Sequence, residues 1–460
     1  MNGTVAGMPD RIVVENAAIA TVDAHDTEID SGHVVVEGRR IVAVGPGPAT
    51  VTDDASTRWV DGTGHVLTPG LVNTHHHFYQ WLTRGLAPDA ILFDWLVALY
   101  PTWSRIDEDS VHAAARGSIA ALLLSGCTTT ADHHYVFPRD GGDVFAATVR
   151  AASELGVRLH AARGSMDLGE SAGGLPPDYA VESIDGILAA TAQAIEDHHD
   201  PAPEAMTRVA VAPCSPFSVT SDLLRESAAL ARSHRVRLHT HGSETAEEEQ
   251  YCLEHFGMRP TDYLDGLGWL GADVWMAHCV HMNDADIERF AATGTGVAHC
   301  PSSNARLGVG IAPLPEMLTA GVPVGLGVDG AASNESGRLA PEVRAALLFA
   351  RARRGPSALT SRQALRLATM GGASVLGRAE EIGSIEPGKL ADFAVWRVDG
   401  VEHSSIGDPV AALALGAPPA LSMLVCNGRV VVEDDVLLTS DVEAIARAAR
   451  EQSRRLLDAS

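Results

Sequence analysis

Eight short, strand-forming segments recur between Leu67 and Gly330: LTPGLVNTH, GCTTTADHHYV, VRLHAARGS, TRVAVAPCS, VRLHTHGS, VWMAHCVHM, TGVAHCP and VPVGLGVDG. Helical stretches separate them, such as DSVHAAARGSIAALLLS before the second and SDLLRESAALARSHR before the fifth. Apolar strands alternating with amphipathic helices read as parallel βα units, and eight is the number that closes a (β/α)₈ TIM barrel. The flanks have a different texture. RIVVENAAIATV, HVVVEG and RRIVAVG are β-rich, broken by Gly, Asp and Asn, and end near Thr68. Beyond the eighth strand, ALTSRQALRLATMGGASVLG is helical. β character returns in GKLADFAVWRVDG and SMLVCNGRVVVED, and SDVEAIARAAREQSRRLLDAS closes the chain as a helix. The expected plan is a barrel over residues 69–375. Residues 1–68 and 376–460 together build one composite β domain beside it, the second part also carrying the terminal helix.

Composition narrows the function classes. A hydrophobic share of 46% suffices for a large core, and 59 acidic against 34 basic residues give a net charge of −25. Such a surface repels a phosphate backbone, so no nucleic-acid partner is expected. The six cysteines are scattered without a CxxC pair, which argues against a zinc ribbon or a dithiol redox motif and for reduced, buried thiols. The start of the chain does not read as a signal peptide, and no window approaches the roughly 20 apolar residues of a membrane span. A cytoplasmic protein without membrane partners is expected.

Metal-competent residues collect at the C-terminal ends of the strand segments, where barrel enzymes carry their sites. The first segment ends in Asn73-Thr74-His75-His76-His77. In extended backbone i and i+2 share a side, so His75 and His77 can face the barrel mouth while His76 faces away. Two imidazoles on one side suit Zn²⁺ or Fe²⁺. The fifth segment offers His239, His241 and Glu244. His241, nearer the strand end, is the preferred third ligand; His239 lies one layer deeper, and Glu244 is within reach of a metal-bound water or the substrate. His278 on the sixth segment could polarise a substrate atom, with His281 as its rival. Asp329 follows an apolar run at the eighth strand tip, a costly place for a carboxylate unless it binds metal or accepts a proton; helix capping is the plainer alternative. His299 on the seventh segment is assigned no chemistry. A P-loop, a GxGxxG turn, a GxSxG elbow and the H-x-E…P-C-x-x-C deaminase pattern are absent.

With these residues in hand, the chain resembles the amidohydrolase superfamily over essentially its whole length. PGLVNTHHH, the fifth-strand His-x-x-Glu, AHCVHM, GVAHCPSSNARLGVGIAP, GLGVDGAASN and PGKLADFAV follow one another in family order. The resemblance implies a distorted (β/α)₈ barrel with a β-sandwich built from both chain ends. Some members bridge two metals through a carbamylated lysine on the fourth strand. Here the only lysine is Lys389, outside the barrel, which leaves the mononuclear deaminase type. The resemblance then implies one divalent ion, Zn²⁺ or Fe²⁺, on His75, His77, His241 and Asp329. It gives Asp329 the water's proton, makes Glu244 the proton donor to the ring nitrogen beside the reacting carbon, and has His278 stabilise the developing oxygen charge. HHHFYQWLTRGL, LFDWLVALYPTW, AARGSMDLGESAGGLPPD and APCSPFSVT are similar to segments of the purine and triazine aminohydrolases. There Gln80 corresponds to a base-contacting glutamine, and Arg163 and Cys214 stand as further base contacts. Relatives commonly carry Leu-Ala where Gly242-Ser243 stands. Pro216-Phe217, in place of an Arg-Phe, argues against plain guanine. The implied reaction is hydrolytic deamination of a small heteroaromatic substrate, foremost 8-oxoguanine. An s-triazine or an adenosine-type nucleoside is the alternative, and a catalytically silent metal-binding scaffold the contrasting class. A homo-oligomer is expected from the same resemblance. Of the aromatics Phe78, Tyr79, Trp81, Phe93, Trp95 and Trp103, most are expected in the core and one or two at the pocket.

Overall fold

A computed structural model describes residues 10–52 and 54–458. The first nine residues of the segment read as lacking a leader, and the last two of the predicted terminal helix, lie outside the described residues. Five strands open the chain: β1 (Arg11–Ala20), β2 (Glu28–Glu37), β3 (Arg40–Pro46), β4 (Thr57–Asp61) and β5 (His65–Pro69). The barrel strands follow as β6 (Leu71–Asn73), β7 (Cys127–His134), β8 (Arg158–Ser165), β9 (Thr207–Pro213), β10 (Arg237–Gly242), β11 (Val274–His278), β12 (Gly296–His299) and β13 (Val324–Leu326). They run parallel in chain order, and β13 closes onto β6 through Leu326 and Asn73. All eight predicted segments thus become barrel strands. The reason is burial on both faces, which demands the unbroken apolar runs seen in the sequence: β7 and β8 are buried at every position.

The intervening helices start where short polar side chains can take the first free amides. Thr220 accepts from the Leu223 N–H, and Asn283 forms a reciprocal capping box with Asp286. Inside the barrel the packing is small: Ala131, Ala162, Ala212, Ala277 and Ala298 share one apolar cluster with Trp275. This leaves room toward the C-terminal mouth for a layer of imidazoles.

The last strands are β14 (Phe393–Arg397), β15 (Ala420–Cys426), β16 (Arg429–Glu433) and β17 (Val436–Leu437). They join the first five in one nine-stranded sheet ordered β17-β16-β15-β14-β5-β1-β2-β3, with β4 against β1. The two chain ends meet where β14 pairs antiparallel with β5, Val395 opposite Leu67. Arg158, at the start of β8, and Asp392, just before β14, form a buried ion pair at 3.1 Å that ties barrel to sheet. A helix over Val442–Asp458 then returns to pack on the helix Glu108–Leu123. No helix among the described residues is long and apolar enough to cross a membrane.

Candidate active site

The barrel strands end abruptly at the mouth, and the backbone there is strained. Ser243, His278 and Asp329 all sit at positive φ, at 52°, 72° and 65°. Non-glycine residues tolerate this region at a cost of about 1–3 kcal/mol, and such residues gather at functional sites.

Hydrogen bonds fix the imidazole tautomers. His239 Nδ1 lies 3.0 Å from the Trp275 carbonyl, to which it must donate, so its Nε2 accepts from His75 Nδ1–H at 2.8 Å. His77 Nδ1–H donates to the His133 carbonyl and His241 Nδ1–H to the Cys214 carbonyl, each at 2.6 Å. Every Nδ1 proton is thereby committed, and three Nε2 lone pairs face one point. His77 Nε2 is 3.2 Å from His241 Nε2, and Asp329 Oδ1 is 3.3 Å from His75 Nε2 and 3.4 Å from His77 Nε2. Ligands at 2.0–2.2 Å in a tetrahedron lie about 3.3–3.6 Å apart, and these three separations are close to that spacing. His75 Nε2 is buried and, apart from the Asp329 carboxylate beside it, has no protein partner, as a metal-facing lone pair would be. The buried His/Asp cluster can therefore hold one divalent ion.

Electrostatics divide the cluster into two kinds of group. Burial drives His75, His77, His239 and His241 below the ordinary imidazole range and keeps them neutral, the form that binds metal. His278 behaves oppositely. Burial opposes its charge, but the carboxylates of Glu244 and Asp329, 3.6 and 4.0 Å from its Nε2, outweigh that and push it up. Its Nδ1–H donates to Asn304 Oδ1 at 2.9 Å, which turns Nε2 to the carboxylates. Burial raises Glu244 to about 7, against the pull of His278 and helped by Asp329 and Glu248. Asp329 is held well below its ordinary range: burial raises it, yet the His75 contact and the charge of His278 prevail. Ser303 and Ser333 hydroxyls donate to Asp329 Oδ2, and the Gly330 N–H to Oδ1.

A narrow cavity above this cluster is lined by His77, His241, Glu244, His278 and Asp329, together with Gln80 and Cys214. Its walls are Leu92, Trp95, Leu96, Phe217 and Leu307, with the polar edges Tyr135 and Ser215. Gln80 Oε1 is buried without a partner. Its amide lies against Gly330, where an added Cβ would fall 1.8 Å from Oε1 and displace it. Burial keeps the Cys214 thiol protonated, pushing it up to about 12. Trp95 is the one member of the predicted aromatic set in the lining; Tyr79 and Trp103 are fully buried against each other. Arg163 is not brought to the cavity. Its guanidinium lies over Phe137 and is taken by Glu182 and the Gly164 carbonyl. His281 turns away to the Val309 carbonyl, and Lys389 is bound to Ala379, Ser384 and Glu386 outside the barrel. His239 supports His75 from behind and stacks on Trp275.

Two residues escaped the sequence reading. His133, on β7, comes within 4.8 Å of the ligand atoms of His75, His77 and His241, donates Nε2–H to the Ala212 carbonyl and has a buried, unpartnered Nδ1. Paired histidines at the tip of an apolar strand were the available signal. Glu248 looked like one member of a charged helix start, yet it is fully buried and accepts the N–H groups of Ser243 and Glu244.

Barrel, composite sheet and a His/Asp cluster at the strand ends define a metal-competent hydrolase site. The family model of the amidohydrolase family matches residues 66–431, and the chain belongs to that family. It is 44% identical to the 8-oxoguanine deaminase of Pseudomonas aeruginosa over 95% of this chain and 98% of that protein. It is 38% identical to the hydroxydechloroatrazine ethylaminohydrolase of Pseudomonas sp. (strain ADP), over 95% and 94%. Among solved structures, the atrazine chlorohydrolase of Arthrobacter aurescens TC1, complexed with zinc, superposes with a TM-score of 0.90 at 34% identity, covering 96% of this chain and 100% of that one. The protein is a hydrolase acting on C–N bonds of cyclic amidines, a deaminase of the amidohydrolase superfamily.

Proposed function

We propose that the substrate is 8-oxoguanine, hydrolysed at its 2-amino group to urate and ammonia, with Zn²⁺ as the metal. The observation that carries this reading is Gln80: an amide with a free carbonyl, buried at the cavity wall beside a protonated thiol. A carboxamide can accept an N–H and donate to a carbonyl at once, which matches the lactam edges of an oxidised purine base. The 44% identity to an 8-oxoguanine deaminase, against 38% to the triazine ethylaminohydrolase, supports the same choice.

His75, His77, His241 and Asp329 are the residues that would hold the ion. When bound, it supplies a water acidic enough to ionise near neutral pH. Asp329, kept ionised by its histidine neighbours, receives a proton from the attacking water. Glu244, poised near 7, delivers a proton to the ring nitrogen beside the reacting carbon. His278, its imidazole pushed up by the two carboxylates beside it, steadies the charge that develops on oxygen. The C–O bond forms, the amino nitrogen takes up the proton held by Asp329, the C–N bond breaks, and ammonia leaves.

The test is ammonia release by zinc-loaded protein from 8-oxoguanine, guanine, isocytosine and a hydroxyatrazine-type triazine. Preference for 8-oxoguanine is expected. Amine release from the triazine with 8-oxoguanine inert would overturn the assignment. Glu244→Gln should lower turnover about 10²–10⁴-fold with metal content unchanged; near-normal turnover would remove Glu244 from the acid role.

A further inference from the structure

A second concave site lies behind the active-site wall. A groove of about 560 Å³ runs between the terminal helix Val442–Asp458 and the helix Glu108–Leu123, with Trp81 in its lining. Arg84, Arg338, Arg450 and Arg454 line it, and no carboxylate does. This reverses the local charge of a chain with 59 acidic and 34 basic residues. None of these four guanidiniums forms an ion pair with a carboxylate among the described residues. The arginines of the terminal helix that do form ion pairs are Arg447, with Asp441, and Arg455, with Asp107; Arg450 and Arg454 have no carboxylate partner among the described residues. Arg338 reaches only the Leu124 carbonyl, at 3.5 Å. Arg84 stacks on Trp81 at 3.7 Å and touches the Glu335 carbonyl, while the Glu335 carboxylate is held by Arg306.

Four like charges around one groove repel each other and are stabilised when an anion sits among them. We propose that this groove binds a small molecule carrying two phosphoryl groups. Each phosphoryl group bears about −1.5 to −2 at neutral pH, so two of them match four guanidiniums. The planar fork of arginine suits phosphate oxygens, and charge-assisted bonds of this kind act at contact distance. The net charge of −25 does not prevent it, because distant carboxylates are screened beyond about 10 Å at 0.1 M salt. Concavity favours a small molecule over an extended acidic surface. The site also has a route to the catalytic one: Trp81 follows Gln80 in one 3₁₀ turn, Phe78–Thr83, and Ser336 and Arg338 lie on the segment that leaves Asp329.

Equilibrium dialysis of the zinc-loaded protein at 0.15 M salt tests the idea, with fructose 1,6-bisphosphate as the probe and fructose as its neutral counterpart. Saturable one-to-one binding of the bisphosphate alone is expected. The double variant Arg450→Gln/Arg454→Gln and the single variant Arg338→Gln, none of which touches the catalytic cluster, should each keep basal deaminase turnover; the double variant should weaken binding at least tenfold. Absence of saturable binding, or binding undiminished in both variants, overturns the proposal. So does binding of an oligoglutamate peptide with no binding of the bisphosphate, which would assign the groove to an acidic protein partner.

Discussion

Glu248 commits both carboxylate oxygens to the backbone, Oε1 to the Ser243 N–H at 2.9 Å and Oε2 to the Glu244 N–H at 2.7 Å. It thereby holds Ser243 in its left-handed conformation and aims Glu244 at the cavity, while its own charge helps raise Glu244. Glu248→Gln keeps the size but presents an amide nitrogen to one of the two N–H groups. Losing a buried, charge-assisted acceptor costs about 1–3 kcal/mol, so kcat should fall about tenfold or more with KM little changed. A variant that alters KM alone would show that Glu248 acts on the pocket and not on Glu244. Asp132 carries a different prediction. Burial raises it to about 8, against the Phe78 N–H that its Oδ1 accepts. Below pH 4 its carboxyl is protonated in folded and unfolded chains alike. Between about 4 and 8 the unfolded chain releases the proton first, so stability is lost as pH rises through this window. Asp132→Asn retains the acceptor for Phe78 and removes the ionisation. Its thermal midpoint should drop less than the parent's between pH 6 and 8.5; equal drops would refute the assignment.

The 3₁₀ turn Phe78–Thr83 and the segment after β13 meet where Gln80 rests on Gly330. Gly330→Ala places a methyl group 1.8 Å from Oε1, so the flexible end of Gln80 must turn away from its present position. KM should rise about tenfold while metal content holds; an unchanged KM would mean that Gln80 does not contact the substrate. This pairing also marks the boundary of what the sequence made legible. Strands buried on both faces write themselves as continuous apolar runs, and alternation alone separates His75 and His77 from His76, so eight strands and the imidazole pair could be read directly. Contacts settled by loop paths could not. Arg163 sits on a strand beside pocket-forming residues, yet Glu182, on the loop that follows, takes its guanidinium. His133 depends on which way a ring turns at the end of β7, and Glu248 on a helix folding back under its own N-terminal turn.

Barrel and sheet meet across an apolar junction, where Trp396, Leu424 and Val431 share one buried cluster with Leu71 and Leu159, and a single ion pair is sealed inside it. Arg158 and Asp392 are 0% and 1% exposed, and Asp392 also accepts the Asn427 N–H. Removing one partner strands the other charge in the interior, at a cost of about 3–5 kcal/mol. Asp392→Ala should therefore shift denaturant unfolding by that amount while preserving a single transition. Two separated transitions would mean that the sheet and barrel are independent units. The pairing of β5 with β14 reaches further than stability. During synthesis β5 emerges early beside β1, and its other neighbour, β14, is made only after the entire barrel. For all that time the nascent chain carries an open row of amides and carbonyls, the kind of edge that recruits other chains. Translation halted before Phe393 should thus yield aggregation-prone fragments instead of a smaller working enzyme, and the ribosome must finish nearly the whole message before any copy is safe from its neighbours.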